Sequence, residues 1–152
     1  MIEDRIPYYE VNKRAVAGFS ALSKHLATID KKLRALVELR VSQINGCVYC
    51  LDLHSRQARE AGETQQRLDC LAAWPEYPHF DDRERAAFAW AEAITHISET
   101  HAPKHLYDAL QAHFTDQEIV DLTLIISFMN TWNRLSISFR DKPEPALELV
   151  PA

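Results

Sequence analysis

"KKLRALVELRVSQINGCVYCLDLHSRQAREAGE", residues 31–63, decides the fold class. Leu33, Leu36, Val37, Val41 and Ile44 recur at the spacing of one helix face, and Asp30 stands where a side-chain oxygen caps the first free N–H groups. Asn45-Gly46 ends that pattern. A second helix then runs from about Cys47 to Ala61 and stops at Gly62, since glycine accepts the left-handed backbone that closes a helix.

Outward from this stretch, nearly every break carries a helix start or stop signal. A first helix is expected around Tyr9 to Ala27, and Thr64 caps a short one ending near Trp74. "WPEYPHF" is a proline-broken loop, after which Asp81 and Glu84 form a capping box for a long helix to about Glu99. Pro103 marks a further helix start. Thr115 and Glu118 make another box, opening "DQEIVDLTLIISFMNTWNRLSISFR", apolar on nearly every side and so a buried central helix or an oligomer contact. The tail "DKPEPALELVPA" reads as irregular. With three glycines, no internal repeat and no low-complexity tract, the chain is all-α and a single domain over residues 1–152.

Its 152 residues suffice to bury a core without help from disulfides or metal. A net charge of −5 gives no attraction to nucleic acid or an anionic membrane, so partners are expected among small molecules and proteins. The charged start "MIEDRIPYYEVNKRAV" lacks a signal-peptide core, and the apolar run "LTLIISFM" is too short to span a bilayer. A cytoplasmic protein is expected. Cysteines there make poor structural frameworks, so a close pair is redox-active or metal-binding.

On the second helix, Cys47, Cys50 and His54 fall within a sector of roughly 60°. Three residues of helix put the cysteine Cα atoms about 5 to 5.5 Å apart, within disulfide reach. Cys50 and His54 are one turn apart, close enough for sulfur–imidazole hydrogen bonding. The Asn-Gly break leaves Cys47 near a helix N-terminus, where free N–H groups and the macrodipole favour a thiolate. A thiolate, a neighbouring thiol and a base suffice to reduce a peroxide by two electrons, through a sulfenic acid and then a disulfide. An outside dithiol must reset the pair.

The stretch "LVELRVSQINGCVYCLDLHSRQAREAGE" resembles the core of the AhpD-like branch of the carboxymuconolactone decarboxylase superfamily, with its Cys-x-x-Cys-x-x-x-His signature after a "SQINGC" turn. "RERAAFAWAEAIT" and "TWNRLSIS" are similar to further blocks of that group, so the resemblance covers roughly residues 33–138. It implies a bundle of antiparallel helices assembled as homo-oligomers, trimers or hexamers. It also implies an alkylhydroperoxidase-type activity without a bound cofactor: Cys50 attacks an organic hydroperoxide, Cys47 resolves it, and His54 helps deprotonate the attacking thiol. The implied reductant is a dithiol such as a lipoylated protein.

Two positions depart from the family pattern. Ala35 stands where family members place a relay glutamate, while Glu38 lies about 60° further round the same helix. Glu38 either reaches the site from there or forms an exposed pair with Arg34, worth about 0.3–0.5 kcal/mol. Tyr49 occupies the place of a histidine between the cysteines, and at neutral pH it is a donor and a poor general base.

Rival readings use the same residues. A structural zinc module would need Cys47, Cys50 and His54 with a fourth ligand such as Cys70 or His79, and usually a second pair of ligands, which the sequence does not offer. A lactone-acid decarboxylase is not served by a thiol pair. A general thiol–disulfide exchanger or redox sensor would use the cysteines without a peroxide preference. Cys70 reads as core, and His96, His101, His105 and His113 as scattered polar residues. In the Trp132-Asn133-Arg134 run, Arg134 needs a carboxylate, a carbonyl or a subunit boundary.

Overall fold

The computed structural model describes residue 3 and residues 5–145. Among these the order is α1 (Tyr8–Val11), α2 (Lys13–Ala21), a 3-10 turn (Leu22–His25), α3 (Lys31–Asn45), α4 (Val48–Glu60) and α5 (Gln65–Cys70). A second 3-10 turn (Leu71–Ala73) precedes α6 (Asp82–Thr95), α7 (Ile97–Thr100), α8 (Lys104–Gln111) and α9 (Asp116–Phe139). The fold is a single-domain helical bundle, as the sequence predicts, with no strand among the described residues.

The capping signals hold where the sequence places them. Asp30 accepts the Leu33 N–H, Thr64 that of Arg67, and both capping boxes, Asp81 with Glu84 and Thr115 with Glu118, are complete. Gly46 closes α3 at φ 69°, in the left-handed region that glycine enters without a Cβ clash.

Three boundaries differ from expectation. The first helix is broken at Asn12, whose side chain accepts the Ala15 N–H while its backbone leaves helical angles. A short amide competing for a backbone donor restarts the helix rather than continuing it. The helix expected to reach Glu99 ends at Thr95; His96 leaves helical geometry and α7 follows as a separate turn. His101 and Ala102 then take positive φ, and Pro103, which disfavours a helical residue before it, caps α8 rather than opening it. Of the tail, residues 141–145 form no regular element and residues 146–152 lie outside the described set.

α3 is the hub, packed on α4, α6 and α9. Leu36, Val37 and Val41 from α3 meet Phe88 from α6 and Leu122, Ile125 and Ile126 from α9 in one core cluster. Each such side chain contributes roughly 1.5–3 kcal/mol by leaving water. α9 is central, but not buried all round: Val120 (57 % exposed), Leu124, Ser127 and Thr131 form an outward strip. No helix among the described residues is long and apolar enough to cross a membrane.

Candidate functional site

The α3–α4 break builds the site. Gly46 and Cys47 both donate their N–H groups to the Ser42 carbonyl, which turns the chain sharply out of α3. The turn is tied to α9 by Asn45, whose amide donates to the side-chain oxygens of Asn130 and Asn133. Asn133 is fully buried and donates in turn to Ser42 Oγ, 3.1 Å away. Cys47 therefore becomes the N-cap of α4, and its sulfur accepts the Cys50 N–H at 3.4 Å.

Both cysteines are free thiols, and they hydrogen-bond to each other. The Cys50 thiol donates to Cys47 and, against the cost of burial, holds the Cys47 pKa down to about 7; the Cys50 N–H, Ser136 and Asn133 add to this. The same hydrogen bond pushes Cys50 up, reinforced by burial and by negative charge on its neighbour. The pair thus behaves as one thiolate sharing one proton. Access divides the two the other way: Cys50 lines the large cavity of the molecule, while Cys47 lies behind it.

His54 lines the same cavity one turn beyond Cys50. Its Nδ1 lies 3.3 Å from Glu38 Oε2 and 2.9 Å from Gln57 Oε1. A carboxylate only accepts, so Nδ1 carries a hydrogen, and in the neutral ring Nε2 is the nitrogen left with the lone pair that makes imidazole a base. Glu38 is 6 % exposed. Burial pushes its carboxyl up, but His54 and then Arg34 outweigh that and hold it below the usual carboxylate range. Arg34 Nε donates to Glu38 Oε1 at 2.8 Å, and its other nitrogens reach Ser23 Oγ and the Ser23 and Leu26 carbonyls.

Glu38 therefore makes both contacts that the sequence offered as alternatives, the arginine on one oxygen and the histidine near the other. The ion pair is buried rather than exposed. Ala35 lines the cavity one turn earlier, and Tyr49, 38 % exposed, stands on its wall.

The cavity, about 1050 Å³, is closed by parts the sequence did not point to. Tyr8 stacks on Phe139 with ring centres 5.0 Å apart and donates its hydroxyl to Asp141, and Arg5 donates to the Ser138 carbonyl. Burial and the Asp141 charge push the Tyr8 hydroxyl up to about 12, so it stays a donor at neutral pH. Trp132 lines the cavity and Ser136 lies against the thiols; both belong to the "TWNRLSIS" block, which was the available signal. Arg134 finds the Asn130 carbonyl, as its need for a partner predicts. Cys70 is half-buried and outside this wall, and among the described residues no cluster of three or more His, Cys, Asp or Glu side chains is arranged to hold a metal ion.

Comparison with known proteins agrees on the fold. The sequence pattern of the carboxymuconolactone decarboxylase family matches residues 12–93. The uncharacterized protein YdfG of Bacillus subtilis is 37 % identical over 143 residues, 93 % of this chain and 97 % of that one. A crystal structure from Agrobacterium tumefaciens, of a protein of unknown function given a provisional AhpD antioxidant-defence name, superimposes with a TM-score of 0.90 at 36 % identity, covering 94 % of this chain and all (100 %) of that one. The debrominase Bmp8 shares the fold at 22 % identity and TM-score 0.78, over 89 % of this chain and 74 % of that one.

Proposed function

We propose that this chain, which belongs to the carboxymuconolactone decarboxylase family and has the AhpD-like fold, is a thiol-dependent peroxidase that reduces organic hydroperoxides. The observation that carries the reading is that Cys50 and His54 face one cavity, with Cys47 hydrogen-bonded behind Cys50 and Glu38 fixing the histidine tautomer.

In the proposed cycle the Cys50 proton passes to His54, and the Cys50 thiolate attacks the peroxide oxygen. The O–O bond breaks, the alkoxide takes the proton from His54 and leaves as an alcohol, and Cys50 is left as sulfenic acid. The Cys47 thiolate then attacks the Cys50 sulfur and expels hydroxide, which leaves as water on taking a proton from solvent. Two thiols have lost two electrons and the peroxide has gained them. A dithiol, such as a lipoylated protein, reduces the disulfide and restores both thiols. The cycle suits a cytoplasmic setting, where such reductants keep thiols reduced. Tyr49 on the wall is a hydrogen-bond donor toward the peroxide. We further propose a homo-oligomer, trimer or hexamer, which the exposed apolar residues Val120 and Leu124 on α9 support.

A second reading, a general thiol–disulfide exchanger, is favoured by the lowered Cys47 pKa, since a thiolate at a helix N-terminus also suits exchange. Peroxide-dependent oxidation of a lipoyl-type dithiol separates the two. Sustained turnover that disappears in Cys50→Ser supports the peroxidase; exchange with disulfide substrates but no peroxide turnover supports the exchanger.

A further inference from the structure

We propose that the cavity selects hydroperoxides that carry a carboxylate on an aromatic or unsaturated body. The inference rests on the peroxidase reading and adds the substrate class.

Charge points the first way. The chain has a net charge of −5, yet its cavity is lined by five lysines and arginines and only two carboxylates. Both carboxylates are engaged: Glu38 by Arg34 and His54, and Asp141 by the Tyr8 hydroxyl. Among the cations, Arg34 is held by Glu38 and by α2-side carbonyls, and Arg5 by the Ser138 carbonyl. The side chains of Lys31 and Arg140 have no hydrogen-bond or ion-pair partner among the described residues. An acidic protein that turns unpaired positive charge toward one cavity concentrates anions there.

The backbone singles out Arg140. It caps the C-terminus of α9 at φ 66° and ψ 39°, a left-handed conformation that glycine fills without strain and a long side chain does not. A cation at a helix C-terminus is favourable, but any residue of the last turn provides that without positive φ. The strained position instead brings a guanidinium to the cavity, and guanidinium matches a carboxylate with two parallel donors.

Size and lining set the rest of the substrate. A volume of about 1050 Å³ is at the top of the usual ligand-pocket range and far beyond what hydrogen peroxide fills. Tyr8, Phe128, Trp132 and Phe139 supply aromatic walls that bind flat or unsaturated carbon frames.

The test is a single turnover of the reduced full-length protein without any reductant, following thiol loss. The probes are cumene hydroperoxide and its para-carboxylate. The carboxylate should react roughly tenfold faster at low salt, with the advantage shrinking as salt rises. Arg140→Gly relieves the left-handed backbone, so the variant folds, and it should bring the ratio of the two rates close to one. Arg140→Lys, which keeps the charge but not the paired donors, should keep only part of it, and Lys31→Gln should reduce it. Equal rates in the unmodified protein, or a ratio that Arg140→Gly leaves intact, would overturn the inference while the peroxidase reading stands. Thiol loss with neither peroxide would overturn both.

Discussion

Two buried glutamates in this molecule share a design and differ in what their second oxygen faces. Glu38 on α3 pairs with Arg34 four residues before it, and Glu63, just after α4, pairs with Arg67 four residues after it. Each gives one oxygen to its arginine. Glu38 turns the other toward His54 at the cavity, whereas Glu63 Oε2 is buried without a hydrogen-bond partner, with the Lys32 ammonium 3.9 Å away. Arg67 goes on to bind Glu84, the capping-box residue of α6, and the His79 carbonyl, so the Glu63 knot locks helices together. A buried carboxylate with an arginine is thus no sign of function by itself. What its second oxygen faces separates a structural lock from the relay proposed for Glu38.

Substitutions at the two glutamates should break the molecule in different ways. Glu63→Ala leaves the half-buried Arg67 with only Glu84 and the His79 carbonyl and should cost about 1.5–3 kcal/mol, read as a fall in denaturant midpoint. Its rate per folded molecule should stay near that of the unmodified protein. Glu38→Gln keeps the shape but loses the carboxylate that fixes His54, and peroxide-dependent turnover should fall roughly 100-fold. Because the Glu38 pKa is lowered by folding, its stabilisation is present above the ordinary carboxylate range and is lost as pH falls. The stability gap between the protein and Glu38→Gln should therefore narrow in acid.

Ala35 sharpens the contrast further. It is buried on the cavity wall one turn from Glu38, so Ala35→Glu places a second carboxylate beside the first. Like charges there should raise one pKa and lower stability by about 1–3 kcal/mol without speeding turnover. The double variant Ala35→Glu with Glu38→Ala should recover more activity than Glu38→Ala alone. A faster Ala35→Glu enzyme would show that the relay is incomplete.

Smaller effects follow. Ultraviolet thiolate absorbance should rise through about pH 7 as the shared proton arrangement forms, and that step should vanish in Cys47→Ser. Lys32 is 45 % exposed at its side chain and too far from Glu63 for a hydrogen bond, so Lys32→Ala should change stability by less than about 1 kcal/mol. A larger loss would mean that Glu63 depends on it more than the distance suggests.

The legible parts of the site were local ones. Cys47, Cys50 and His54 share a face because helix geometry fixes neighbours one turn apart, and Asp30, Thr64 and the two boxes announced their helices for the same reason. Glu38 was ambiguous because helical phase tells which face a side chain occupies, but not what a second helix brings to it. Asn133 and Ser136 lie in the "TWNRLSIS" block, which the sequence marked without showing what it faces, and Tyr8 carried no signal; tertiary packing from opposite ends of the chain brings them to the thiols and the cavity. The breaks at Asn12 and His96 escaped for a related reason. Apolar periodicity runs through both, and the interruption depends on backbone angles that no spacing records.

Treating Cys47→Ser with one equivalent of cumene hydroperoxide and locating the oxidised sulfur by peptide mass spectrometry tests the central claim most directly. Sulfenic acid on Cys50, trapped because the resolving sulfur is gone, is the predicted result. A Cys50 left reduced, with oxidation only at Cys70 or none at all, would contradict the assignment of Cys50 as the attacking thiol.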